Sequence, residues 1–273
     1  MDWSRAKTIL IVFLFAVNIF LFGTYMKKES DDRDDRLEQR REVVAVLARQ
    51  GIFVSEESVP YEKVEISHAS VRLPEDKGAL ASAVLGEVQE TVYAENTVYS
   101  AENGNMMFSG ESFSIVCETG EDVRSVEDAK AFAEDIADKL CLSHSGGEIS
   151  TEIVAGGYKV RIPQILGGVR IFGADVEFNI SGSGNVLANG RFIGQGKLIR
   201  SDGDTMEVPA LLLEFADEIK ESGKEKVEIT GLDYGYMPRT PAGGRVYLVP
   251  TLEISTPSGG YYINMSDGSM TAV

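Results

Sequence analysis

The chain has 273 residues, 43% apolar and 8% aromatic, with only two Cys, which excludes a disordered chain and a disulfide-stapled mini-domain. Its 26 Lys and Arg face 43 Asp and Glu, and residues 1–28 hold four of the bases (Arg5, Lys7, Lys27, Lys28) and one acid (Asp2), leaving the remainder with a formal charge of −20. Such a remainder repels phosphate backbones and anionic headgroups, so no nucleic-acid partner is expected.

The first predicted element is Thr8 to Met26, the one strongly hydrophobic stretch. Its 19 residues rise about 1.5 Å each and span about 28 Å, close to the roughly 30 Å hydrocarbon core of a bilayer. A cleaved signal would be shorter and end in a small-x-small site, whereas Phe22, Tyr25 and Met26 lead directly into Lys27-Lys28. The stretch therefore reads as an uncleaved single-pass anchor in the cell membrane. Counted literally, Lys27, Lys28, Arg33 and Arg36 outweigh Arg5 and Lys7 and favour the opposite orientation. The interleaved acids Glu29, Asp31, Asp32, Asp34 and Asp35 neutralise them, and the seven-residue head is too short to fold, so residues 1–7 are expected in the cytoplasm and the carboxyl domain outside.

Asn18 sits near the middle of the apolar span, and a carboxamide in hydrocarbon needs a partner. Ile11, Phe15, Asn18 and Phe22 share one helical face, the candidate contact with another transmembrane helix; the alternative is that Asn18 is satisfied by its own helix or by water.

After the anchor, Asp34 to Gln50 reads as a helix with Leu37, Val44 and Leu47 near coiled-coil spacing and Gly51 as its stop. Short alternating runs follow at Val64–Ile66 and Val71–Leu73, a helix at Lys77–Leu85, and strands at Thr91–Ser100, Gly104–Phe108 and Ser112–Glu118. Gly120-Glu121-Asp122 reads as a boundary. Ser125-Val-Glu-Asp128 is a capping box opening a helix whose face is Val126, Ala129, Ala133, Ile136, Ala137 and Leu140. An antiparallel meander follows, with Tyr158–Ile162, Val169–Ile180 and Val186–Ile193 separated by glycine turns.

The order recurs, with a helix from Pro209 ended by Ser222-Gly223, then Val227 and Ile229, a bulge at Gly231, and strands through Tyr236, Val246–Ile254 and Tyr261–Met265. The expected fold class is α+β, with a single N-terminal transmembrane helix ahead of helix-plus-antiparallel-meander modules. The expected boundaries are 1–7 for the tail, 8–26 for the membrane helix, 27–51 for a juxtamembrane helix, 52–120 for an N-terminal extracytoplasmic domain and 121–273 for a C-terminal domain of two such modules.

Catalytic and cofactor motifs are absent from the sequence. His68 and His144 lie in no metal-ligand frame, Ser4-x-x-Lys7 precedes the anchor, and Asp202-Gly-Asp204 with Glu207 lacks EF-hand spacing. Cys117 and Cys141 either form a disulfide, worth about 3 kcal/mol by chain entropy, or are two separate buried thiols.

Three segments together resemble the YycI family of membrane-anchored regulators, which act with YycH on the WalK (YycG) sensor histidine kinase of Gram-positive bacteria. They are Met1-Asp-Trp-Ser-Arg-Ala-Lys-Thr8 before the anchor with Asn18 inside it, Tyr158-Lys-Val-Arg-Ile-Pro-Gln164 followed by Val169-Arg-Ile-Phe172, and Val246-Tyr-Leu-Val-Pro250 with Gly260-Tyr-Tyr-Ile-Asn264. The β modules are similar to PepSY-like or cystatin-like extracytoplasmic domains. Val249-Pro-Thr251 departs from the family, which tends to an aromatic after the proline. The resemblance implies a non-enzymatic protein without cofactors. Its partners would be the sensor kinase, a YycH-like protein and the membrane, and it would modulate a cell-wall two-component system. The other reading is an extracytoplasmic module binding a peptide or a cell-wall fragment; an anchored hydrolase is the weakest, because no nucleophile motif is present.

Overall fold

The structure, a computed structural model, describes residues 3–60, 64, 66–72, 76–94, 96–193, 205–223, 226–239 and 245–272, and of these only the backbone of 3–13, 16, 19, 23, 26 and 29–32. In chain order the elements are α1 (Trp3–Arg49), β1 (Ile52–Val54), a 3-10 turn at Glu56–Ser58, β2 (Ala69–Arg72), α2 (Lys77–Leu85), β3 (Gln89–Tyr93), β4 (Asn96–Ala101), β5 (Gly104–Ser109) and β6 (Ser112–Glu118). There follow α3 (Val126–Lys139), β7 (Ser150–Val154), β8 (Gly157–Leu166), β9 (Val169–Ser181), β10 (Asn185–Arg191), α4 (Val208–Glu221), β11 (Val227–Ile229), β12 (Gly231–Arg239), β13 (Arg245–Thr256), β14 (Gly259–Asn264) and β15 (Met270–Ala272). The fold is α+β and mostly sheet.

Two compact units share this chain. The first comprises Met1–Glu65, Glu207–Leu232 and Ile254–Gly260. Here α1 is one unbroken helix, so the spans expected at 8–26 and 27–51 lie on a single rod that ends where Gly51 takes a positive φ of 82°. Its last turns bury Val43 and Leu47 and pack on β1 and α4. β1 runs parallel to β11, Ile52 opposite Val227 and Val54 opposite Ile229. Arg40 and Arg41 both donate to Glu56 on the 3-10 turn, at 3.0 and 3.3 Å, and the Arg40 bond is the main reason the Glu56 carboxyl titrates below its usual range. Among the described residues no helix is long and apolar enough to cross a membrane. Within the expected span 8–26 the side chains of residues 8–13, 16, 19, 23 and 26, Ile11 among them, lie outside what is described.

The second unit comprises Ile66–Met206, Asp233–Glu253 and Tyr261–Val273. Its strands β7–β8–β9–β10–β6–β5–β4–β3 lie side by side in that order, every neighbouring pair antiparallel. Because side chains alternate across a strand, the registers sort them into rows. The row Val160, Phe178, Ala188, Ile115, Met106 and Tyr99 is buried beneath α2 and α3. Those helices start as their sequences dictate: Asp76 accepts from the Ala79 amide at 2.8 Å, and Ser125 from the Asp128 amide at 3.0 Å. The α3 face buries Ala129, Ala133, Ile136 and Ala137, with Leu140 just beyond its end.

Several expectations need correction. Thr91–Ser100 is a hairpin and not one strand: β3 and β4 pair around Ala94, which takes a positive φ of 48° without the Gly or Pro that usually announces a turn. The boundary expected at residue 120 falls inside one sheet, because β6 pairs with β10 along its length, from Glu118 opposite Asn185 to Ser112 opposite Arg191. The helix at 208–221 packs against α1, an apolar partner far away in sequence. Neither cysteine reading matches: both thiols are free, Cys117 in the core with its titration pushed up by burial, and Cys141 exposed after α3.

Candidate functional site

The most unusual local geometry in the second unit is a wide bulge in β9. Ile162 pairs with Val176 and Gln164 with Ile171, so Phe172, Gly173, Ala174 and Asp175 on β9 oppose Pro163 alone. Pro163 has no amide to offer the ladder, and Gly173 turns the chain with a φ of 64°. Arg170 and Asp175 form an ion pair at 3.0 Å across the base of the bulge.

Gln164 supplies the missing ladder bonds from its side chain, which is 1% exposed. Its Nε2 donates to the Ala174 carbonyl and, at 2.6 Å, to the Arg191 carbonyl, while its Oε1 accepts from the Ile193 amide at 3.3 Å. One carboxamide thus ties β8 to the bulge and to the end of β10. On the other side Gly235 of β12 runs parallel to β9 opposite Arg170, and a Cβ there would sit 2.6 Å from the Arg170 carbonyl and 2.7 Å from the Phe172 ring. Only glycine admits β12 at this point.

Two depressions flank the bulge. The larger, about 560 Å³, is lined by Met237 and Arg239 of β12, Tyr247, Val249 and Thr251 of β13, Tyr262 and Asn264 of β14, and Thr271 of β15. Tyr262 stacks on the bulge residue Phe172 with ring centroids 5.2 Å apart. Burial, aided by the neighbouring Glu253 carboxylate, pushes the Tyr262 phenol up to about 12. Tyr247, 46% exposed, offers an aromatic surface to solvent. The smaller depression, about 440 Å³, lies on the uncovered face of the antiparallel sheet and is lined by Met107, Ser109, Ser112, Ser114, Asn189, Arg191 and the bulge residues Gly173 and Asp175. Arg191 is ion-paired to Glu111 beside it. The same uncovered face exposes Leu187, Val116 and Met107.

His68 Nε2 lies 2.7 Å from the Ser266 hydroxyl, with no carboxylate among the described residues orienting the pair, and His144 lies 2.9 Å from Asp138, whose side chain is exposed. Among the described residues no group of His, Cys, Asp and Glu could hold a metal ion. Asp202 and Asp204 lie outside the described residues. On α1 the side chains of Phe15, Asn18 and Phe22 are exposed. Sequence reasoning missed the bulge; its signal was Pro163-Gln164, a proline followed by a polar residue inside an otherwise apolar strand pattern.

No family model and no curated protein matches the chain. Solved structures do. An uncharacterized protein from Eubacterium rectale ATCC 33656 is 10% identical, with 76% of this chain and 86% of that one covered and a TM-score of 0.53. The likeness is one of fold. The Bacillus megaterium YpeB C-terminal domain, 13% identical, is covered over 99% of its length and 74% of this chain at a TM-score of 0.35, too low to bear on function.

Proposed function

We propose that the protein is a non-enzymatic, membrane-anchored regulator that modulates a cell-wall sensor histidine kinase through transmembrane and extracytoplasmic contacts, together with a YycH-like co-partner. The observation that carries the anchor is on α1. Leu14, Phe15, Phe20, Leu21, Phe22 and Tyr25 are all more than half exposed. At about 100° per residue they spread over roughly 220° of the helix, broader than a single packing stripe. Surroundings that accept apolar groups on most sides suit lipid better than one protein partner. Roughly fourteen residues, or about 21 Å of helix, separate Met26 from Arg40, which is ion-paired to Glu56. In this reading α1 is at once the anchor and part of the folded unit, so a change in its packing at Val43 and Leu47 would be felt along the whole rod.

The kinase as partner rests on the resemblance of the opening octapeptide, the Tyr158–Gln164 motif and the last hairpin to the YycI family. The helix-on-sheet arrangement of α3 with β7 and β8 fits a PepSY-like or cystatin-like module. A regulator shifts a kinase only as far as it binds the two signalling states with different affinity, so the grooves beside the β9 bulge are surfaces on which that difference could be made. The test has two readouts. Alkaline carbonate should leave the full chain in the membrane pellet, and protease added to intact spheroplasts should digest the folded units; release by carbonate would remove the anchor, and protection would reverse the orientation.

One observation favours a second reading, that of a peptide- or cell-wall-fragment-binding module: the tyrosine-lined groove has a built aromatic floor, Tyr262 on Phe172. It predicts a rise in melting temperature with muropeptides or short peptides that Tyr262→Ala abolishes.

A further inference from the structure

The arginines described in the second unit fall into two sets. Arg124, Arg161 and Arg170 each meet a carboxylate, at 2.9, 3.3 and 3.0 Å, and Arg191 meets Glu111. Arg72, Arg239 and Arg245 have no ion-pair partner among the described residues, and all three are exposed.

These three lie together. β2 runs antiparallel to β13 with Arg72 directly opposite Arg245 and Ser70 opposite Tyr247. Ala69, Val71, Val246 and Leu248 are buried, so by alternation Ser70, Arg72, Arg245 and Tyr247 share the outer face. Tyr247 lines the larger groove, and the two arginines stand two residues, about 6.8 Å, further along that face. Arg239, the last residue of β12, lines the same groove from the neighbouring strand. Like charges directly opposed on adjacent strands repel. The chain has 43 acids to 26 bases, yet among the described residues none neutralises this cluster. Asp267 titrates below its usual range mainly through its bonds to Ser269, whose amide donates at 2.9 Å, with Arg239 a lesser influence from beyond ion-pair distance.

We propose that Arg72, Arg239 and Arg245 bind the phosphate of a small sugar or polyol phosphate ester whose body lies along the tyrosine-lined groove. The assignment rests on the second reading above, in which that groove takes a ligand, and names the chemistry it selects. Three guanidinium groups match a phosphate monoester, with three terminal oxygens and nearly two charges at neutral pH, better than a carboxylate with two oxygens and one charge. The exposed ring of Tyr247 gives a flat apolar face to the C–H side of a sugar ring, and Asn264, Ser269 and Thr271 give hydrogen-bonding groups to its hydroxyls. The groove, about 560 Å³, is of the size that holds one small ligand. A long polyanion is disfavoured: beyond a Debye length of about 8 Å it meets a chain of formal charge −17, whereas a small ester stays within the local field of the three cations.

The test uses the full chain in uncharged detergent micelles, titrated calorimetrically with glucose 1-phosphate. This ester should bind at least tenfold more tightly than glucose. It should also bind several-fold more tightly at pH 7.5 than at pH 5, because its second proton leaves near pH 6 while the arginines stay charged. Combining Arg72→Gln with Arg245→Gln should weaken it at least tenfold, yet keep or raise the melting temperature without ligand, since the opposed charges are gone. Tyr247→Ser should weaken glucose 1-phosphate and leave inorganic phosphate unchanged. Equal affinity in the double variant, or glucose bound as tightly as its phosphate, would overturn the phosphate assignment while keeping the groove of the second reading as a ligand site. No binding of glucose 1-phosphate, glucose or muropeptides would remove both. Tighter binding of a hexaglutamate peptide or a poly(glycerol phosphate) chain than of glucose 1-phosphate would overturn the small ester in favour of a polymeric anion.

Discussion

Replacing Gln164 by Leu keeps approximate volume and raises hydrophobicity, so packing alone predicts a neutral or mildly stabilising change. The hydrogen bonds predict the opposite. The side chain is 1% exposed and makes three bonds to backbone, to the carbonyls of Ala174 and Arg191 and from the amide of Ile193. Leucine leaves all three groups buried without that partner, and each costs about 1–3 kcal/mol when desolvated and unmet. A carbonyl can rely partly on its second lone pair or admit water, so the lower end applies and the expected loss is about 3 kcal/mol. At roughly 2–4 °C per kcal/mol for a chain of this size, the melting temperature should fall by about 6–12 °C. Gln164→Glu is the sharper variant: at neutral pH it sets a carboxylate against two carbonyl oxygens, and below its own titration the protonated acid can donate one bond again. Its deficit should therefore shrink as pH falls, whereas that of Gln164→Leu should not change. Urea denaturation of both variants at pH 7.5 and pH 5 measures this. A loss below about 1 kcal/mol for Gln164→Leu would refute the claim that one carboxamide replaces the ladder at the bulge.

Other predictions follow from the same geometry. Gly235→Ala forces β12 off the bulge and should disturb the Phe172–Tyr262 stack, read as a changed near-ultraviolet circular dichroism signal with the far-ultraviolet signal kept. The Tyr262 phenol ionises near 12 when folded and near 10 when unfolded, so stability should drop by about 1–2 kcal/mol, after allowing for partial exposure, as pH rises from 10 to 12; Glu253→Gln should reduce the drop. Glu56 is held below its usual range by Arg40 and Arg41, so its contribution is present at neutral pH and lost as pH falls through the carboxylate range; in Glu56→Gln, amide exchange near the end of α1 should be fast at neutral pH and lose this pH dependence. Asn18→Leu should leave insertion intact but weaken co-purification with the kinase's membrane segment several-fold, the equivalent of about 0.6–2 kcal/mol.

The helices of the folded units were legible because each carries its own start signal. Asp76 and Ser125 cap their helices, Pro209 opens α4, and the buried positions of α3 fall where the 3.6-residue period places them. The strands β5, β6, β8 and β9 were legible because alternation and glycine turns bracket them. What stayed hidden was long-range. Nothing local to Ser112–Glu118 says that it will pair with Asn185–Arg191, and the turn at Ala94 lacks the residues that make turns recognisable. The candidate site was illegible for the same reason: the bulge exists only in the registry of β8 against β9, and Gln164 shows its role only once Ala174, Arg191 and Ile193 surround it. Phe15, Asn18 and Phe22 are exposed, but so are Leu14, Phe20, Leu21 and Tyr25 around the same helix, so exposure singles out no one face.

The most direct measurement of the regulatory claim is an affinity pull-down of the tagged full chain from carbonate-washed, detergent-solubilised membranes after brief in-cell cross-linking, with the captured proteins identified by mass spectrometry. The account predicts a sensor histidine kinase and a second anchored protein among the enriched partners, both reduced several-fold with Asn18→Leu. Recovery of the chain in the carbonate supernatant, or capture from the membrane with no kinase enriched over an unrelated single-pass control, would contradict it.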